Sequence, residues 1–104
     1  MEFYTRGTVI LAQKINDRLK ELRTYMLIES SKSEFSFQLA CINGYNAGVI
    51  FGYIRIDPLA QQARVLGVTH EFLLEQMIFN LGEIDMSTYE VVGNVSDYHL
   101  KEKK

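Results

Sequence analysis

Residues 34–57, EFSFQLACINGYNAGVIFGYIRID, decide the fold. Two apolar segments are hinged on Asn43-Gly44. Each alternates with period two, the pattern of a half-buried strand. Phe35, Phe37, Leu39 and Cys41 point one way, and Ser36, Gln38 and Ala40 the other. Asn-Gly suits a type I′ turn, whose central residues both take positive φ. A loop of two residues (Asn43-Gly44) or four (43–46) leaves the same faces together. Phe35, Phe37, Leu39 and Cys41 then share a side with Gly48, Ile50, Gly52, Ile54 and Ile56. Large side chains beside two glycines cover the gaps that glycine leaves. The reading is a β-hairpin at the centre of a sheet, with this side as the core.

Around that hairpin the chain has the composition of one globular domain spanning residues 1–104. It is 47% hydrophobic and 23% charged, with seven glycines and one proline, neither low-complexity nor collagen-like. A single cysteine, Cys41, cannot form an internal disulfide, and its inward strand position predicts a buried, unreactive thiol. The expected compartment is the cytoplasm. The first residues, MEFYTRG, lack the basic start and apolar run of a signal peptide. No apolar run reaches the length of a membrane-spanning helix, so no membrane association is expected.

Before the hairpin, Leu11, Ile15, Leu19, Leu22 and Met26 recur at helical spacing, with Lys14, Asp17, Arg18, Lys20 and Glu21 on the outer arc. This predicts a helix over Thr8–Arg23 with Thr8 as N-cap. The rival reading is a strand over Phe3–Leu11 and a helix from about Asn16. Tyr25–Glu29 is short, apolar and tolerant of strand structure. After the hairpin, Asp57-Pro58 stops the ladder because proline has no amide to donate. Asp57 as N-cap, Pro58 at the first helical position and Gly67 past the end would give a short helix. The β-branched run Val65, Leu66 and Val68 favours instead a strand over residues 63–68. Thr69–Leu81 reads as a helix capped by Thr69 and stopped by Gly82, with Leu74, Met77, Ile78 and Leu81 turned inward. Asp85–Ser87 reads as a break and Thr88–Val95 as the last strand, although Ser87 and Glu90 also fit a capping box. The sum is an α+β fold, an antiparallel sheet of four to five strands with two helices packed on one face.

Charge distribution carries the functional signal. The totals nearly balance, 11 basic against 13 acidic residues. Between Val65 and Leu100 there is no lysine or arginine, yet Glu71, Glu75, Glu83, Asp85, Glu90 and Asp97 all fall there. Such a surface repels nucleic acid and steers a basic protein toward it. The outward hairpin face, with Ser36, Gln38, Val49, Phe51 and Tyr53, offers Phe51 and Tyr53 as an apolar interface.

Catalytic patterns are thin. His70-Glu71 lacks the second histidine of a zinc-protease helix, since that place is Leu74. Gly44, Gly48 and Gly52 lie within a hairpin, so they form no phosphate loop. No serine sits in a nucleophile elbow. Neither a metal nor a cofactor is expected. Carboxylate chemistry through Glu71 and Glu75, one helical turn apart, is the weakest of three readings. The strongest is a non-enzymatic inhibitor or immunity-type protein whose acidic C-terminal half masks a basic partner such as a nuclease toxin. The alternative is a sheet-mediated homo-oligomer with an apolar ligand or a structural role.

Overall fold

The computed structural model describes residues 2–30 and 35–96, with the side chains of Phe35 and Ser36 outside that description. The fold is α+β. Five strands, β1 (Thr8–Lys14), β2 (Arg23–Glu29), β3 (Phe35–Cys41), β4 (Ile50–Arg55) and β5 (Ile84–Asn94), form one antiparallel sheet. Two helices, α1 (Pro58–Gln62) and α2 (His70–Leu81), lie between β4 and β5 in the chain. The strand order is β4-β3-β2-β1-β5, so β2, not the β3–β4 hairpin, is central and β4 is an edge.

The core follows period two across the sheet. Ile10 and Ala12 of β1, Tyr25 and Leu27 of β2, Phe37, Leu39 and Cys41 of β3, and Ile54 of β4 are all buried in one cluster. Leu73, Met77 and Leu81 close it from α2. They lie four apart, one line down the helix. The inward stripe therefore differs from the expected one. Met77 and Leu81 belong to it, but Leu73 replaces Leu74, which is half-buried, and Ile78 is 41% exposed.

The expected helix over Thr8–Arg23 is instead strand β1, a loop, and the first residue of β2. Thr8 is no N-cap; its hydroxyl donates to the Thr5 carbonyl at 2.6 Å. The helical spacing of Leu11, Ile15 and Leu19 misled because residues 9–11 pair on both sides, with β2 and β5. Tertiary pairing overrides a weak local preference. Of the rival reading, only the Thr8–Leu11 part of the Phe3–Leu11 strand is found, and its helix from Asn16 is a loop as well.

The strand expected at residues 63–68 is absent. Asp57 caps α1 with Pro58 in its first turn, and the helix ends at Gln62 with Ala63 as its C-cap, well before Gly67. Only Val68 bridges, to Tyr4. At the far end, β5 begins at Ile84, and the expected break at Asp85–Ser87 is a bulge within one strand. Asp85 organises it, accepting from the Ser87 amide (3.1 Å) and hydroxyl (2.7 Å), while Thr88 donates to its carbonyl at 2.6 Å.

The β3–β4 turn is longer than either expected length. Gly48 N–H donates to the Cys41 carbonyl (2.7 Å) and Cys41 N–H to the Val49 carbonyl (2.9 Å), so two residues oppose one. Gly48 has φ of 90° there, the conformation such a bulge asks of glycine. A second irregularity follows, because Leu39 pairs with Gly52 but Ala40 with Ile50. Phe51 is the extra residue. Its ring meets Tyr25 edge-on at 5.8 Å, on the core side. One inserted residue exchanges the faces, so Ile50, expected inside, is 40% exposed.

Gly52 is needed for a close approach. A Cβ there would fall onto the Asn80 side chain, 2.9 Å from its Cβ and closer still to its amide. That amide donates to the Tyr53 carbonyl at 3.2 Å and to the Gln76 carbonyl at 2.8 Å. Gln76 also accepts from Arg55 N–H at 3.4 Å. Two α2 side chains thus cover backbone groups of the β4 edge, which would otherwise template pairing with another chain. Gly52→Ala is expected to cost about 1–3 kcal/mol by overpacking. Combined with Asn80→Ala, which removes the colliding amide, the loss should be less than additive in denaturant melts. Strict additivity would show that Gly52 and Asn80 do not meet.

Candidate functional site

Period two leaves the sheet a second face. Val9 and Leu11 of β1, Met26 and Ile28 of β2, and Ala40 of β3 point away from α2, since the residues alternating with them fill the core. Pairing aligns Val9, Met26, Ala40 and Ile50 in one row across four strands. Ile28, Gln38 and Tyr53 form the next. The long helix α2 packs on the other side, and α1 makes no extended contact with any strand, so neither helix packs over this apolar face. Of the two expected interface residues, Tyr53 lies on this face and Phe51 on the core face, so the structure separates them.

The expected acids are divided as well. Glu90 pairs with Leu11 and Asp85 with Gln13, which places both on the β5 border of the apolar face. Glu83 is exposed just before β5, and its carbonyl accepts from Ile15 N–H at 3.0 Å. Glu71 and Glu75 are exposed on α2, in the helical layer. Asp97 lies outside the described residues. The sequence groups six carboxylates, but the fold brings Asp85 and Glu90 together with apolar neighbours and sets Glu71 and Glu75 apart.

The most heavily bonded carboxylate among the described residues is Asp57, which the sequence offered as an N-cap but not as a link between two helices. Asp57 is buried, and its Oδ2 accepts from both the amide and the hydroxyl of Thr69, each at 2.7 Å. Its Oδ1 accepts from Leu59 N–H at 3.0 Å. Asp57 caps α1 while Thr69 caps α2, accepting from Phe72 N–H at 3.3 Å. One side chain therefore ties the two helix starts together. Burial alone would raise its pKa, but the hydrogen bonds from Thr69, Leu59 and Ala60 outweigh it and hold the carboxyl below its ordinary value. The signal was present as two N-cap residues 12 positions apart; that they share an oxygen depends on tertiary placement.

Two phenols are buried without a hydrogen-bond partner among the described residues, Tyr25 and Tyr89. Burial pushes each to about 12. Both stay neutral and serve packing. Tyr89 also meets His70 edge-on at 6.0 Å, and His70 meets Tyr4 in the same way. Beside Tyr4 opens a cleft of about 470 Å³, lined by polar groups including Glu2, Thr5, Thr8 and Asn94. No nucleophile paired with a base is found among these residues.

Among the described residues no three of His, Cys, Asp and Glu are grouped to hold a metal ion, and no helix is long and apolar enough to cross a membrane. Comparison with protein-family models, curated proteins and solved structures found no significant match.

Proposed function

We propose that the protein is a non-enzymatic binding domain that holds a basic protein against the helix-free sheet face, as an inhibitor or immunity-type protein masks a nuclease toxin. One observation carries the reading: Asp85 and Glu90 border the same face that presents Val9, Leu11, Met26 and Ile28. An apolar centre with a charged rim is the usual anatomy of a protein interface. Rim carboxylates set the encounter rate, while apolar side chains at the centre set the lifetime. A buried free cysteine suits a reducing compartment such as the cytoplasm.

The test uses the basic protein that the wild-type chain retains from host lysate. Asp85→Lys with Glu90→Lys should slow association and flatten its salt dependence, because steering is screened beyond about 10 Å at 0.1 M salt. Glu71→Lys with Glu75→Lys, in the helical layer, should change the rate far less. Retention of no basic protein, or equal effects of the two pairs, would contradict the reading. The second reading is a homo-oligomer through this face, favoured by the uninterrupted row Val9, Met26, Ala40 and Ile50. It predicts a salt-insensitive dimer instead.

A further inference from the structure

Of the five asparagines in the chain, only Asn43 is followed by glycine. A main-chain amide nitrogen can attack the side-chain carbonyl of an asparagine that precedes it, and glycine, without a Cβ, obstructs that approach least. Whether the attack occurs in a folded protein depends on what holds the nucleophile, the electrophile and the leaving group. The loop between β3 and β4, residues 42–49, sets all three.

The nucleophile is free. Gly44 is exposed, with φ of 71°, and its N–H donates to no described residue. A Cβ built there would meet only the Glu21 carboxylate, at 4.0 Å, so the backbone has room to turn. The electrophile is polarised. Asn43 Oδ1 accepts from Thr24 N–H at 2.8 Å, and a backbone donor at that oxygen stabilises the negative charge that gathers there when Cγ is attacked. The leaving group is unheld, since Asn43 is exposed and its Nδ2 donates to no described residue.

The other asparagines lack this combination, because the amide that follows each is engaged. Asp17 N–H donates to the Lys14 carbonyl at 3.3 Å, Ala47 N–H to the Gly44 carbonyl at 3.1 Å, and Val95 N–H to the Gly7 carbonyl at 3.0 Å. Leu81, after Asn80, lies within α2, and the Asn80 Nδ2 is itself bonded to two carbonyls.

We infer that Asn43 is a site of spontaneous backbone modification. Gly44 N gives its proton to hydroxide and bonds to Asn43 Cγ, and Nδ2 leaves as ammonia, closing a succinimide ring. Water then opens one of the two ring C–N bonds. Opening at Cγ leaves aspartate, and opening at the main-chain carbonyl leaves isoaspartate. Either product adds one negative charge. Aspartate keeps an oxygen for the Thr24 amide, whereas isoaspartate lengthens the main chain by one methylene. Ile42 N–H donates to the Thr24 carbonyl at 2.9 Å, so the added atom enters where the loop is tied to β2 and loosens that tie. The inference is independent of the basic-partner reading, which uses Asp85, Glu90 and the middle of the sheet.

Peptide mapping by mass spectrometry, on native wild-type protein stored at mildly alkaline pH, tests it. The peptide containing Asn43 should gain about 1 Da and split into two species, one of them a substrate for an isoaspartate methyltransferase. The rate should rise with hydroxide concentration. It should lie within about tenfold of the rate in a free peptide of residues 41–46, since no opening of the fold has to precede the attack. The peptides of Asn16, Asn46, Asn80 and Asn94 should gain nothing over the same time. Asn43→Gln, whose longer side chain cannot close the same ring, should abolish the change. The isoaspartate product, separated by ion exchange, should melt below Asn43→Asp. An unmodified Asn43 in the native protein after the free peptide has reacted would overturn the inference. So would equal gains at the other asparagines, or a mass gain without isoaspartate. Equal melting of the isoaspartate product and Asn43→Asp would contradict the loosened tie.

Discussion

Phe37→Ala is expected to lose about 3–5 kcal/mol of folding stability. Phe37 is 3% exposed and lies in β3 between Glu29 of β2 and Ile54 of β4. Its ring belongs to the same cluster as Leu39, Ile54 and Leu73, so truncation opens a cavity bounded by sheet on either side. The pairing of Phe37 with Glu29 and Ile54 limits how far the strands can close over the space, although a register irregularity lies between Phe35 and Phe37. Gln38→Ala, the next residue and on the helix-free face, should change stability by less than about 1 kcal/mol. Denaturant melts of the two variants decide it. Equal, small losses would mean that the two faces of β3 have been confused.

Asp57→Ala should cost about 2–4 kcal/mol, because it removes the cap of α1 and strips the buried Thr69 of its acceptor. The effect depends on pH in a defined direction. The folded carboxyl is held below its ordinary value by its hydrogen bonds. Its contribution is therefore fully present above the unfolded value, near pH 4, and is lost as pH falls through the lower folded value. Against Asp57→Asn, which cannot ionise, the stability advantage of the wild type should stay flat from about pH 7 to 5 and shrink in more acid solution. A gap that is constant down to the most acid pH at which both proteins fold would show that the charge of Asp57 contributes nothing.

What was legible in the sequence was local. Alternation in Phe37-Gln38-Leu39, the Thr69 cap and the Gly82 stop each act within a few residues, and each is found in the structure. What was not legible depends on neighbours distant in sequence. Val9–Leu11 become a strand because β5, some 80 residues away, pairs with them; Leu11, Ile15 and Leu19 merely happen to match a helical period. The faces of Ile50 and Phe51 exchanged because of an added residue that no periodicity announces. The acidic run was visible as composition, but composition does not record layers. Only the fold shows that Asp85 and Glu90 stand beside Leu11 and Gln13 while Glu71 and Glu75 ride on α2.

The central claim is that the helix-free sheet face, rather than the helical layer, holds the partner. Binding of two lysine variants to the retained basic protein measures it most directly. Met26→Lys places a cation in the middle of the row formed by Val9, Met26, Ala40 and Ile50. Ile78→Lys places one on the exposed side of α2. With folding of both confirmed by melting, Met26→Lys should weaken binding about a hundredfold, the scale of losing one buried anchor and burying a charge, and Ile78→Lys should bind like wild type. Undiminished binding by Met26→Lys, or a loss confined to Ile78→Lys, would contradict the account.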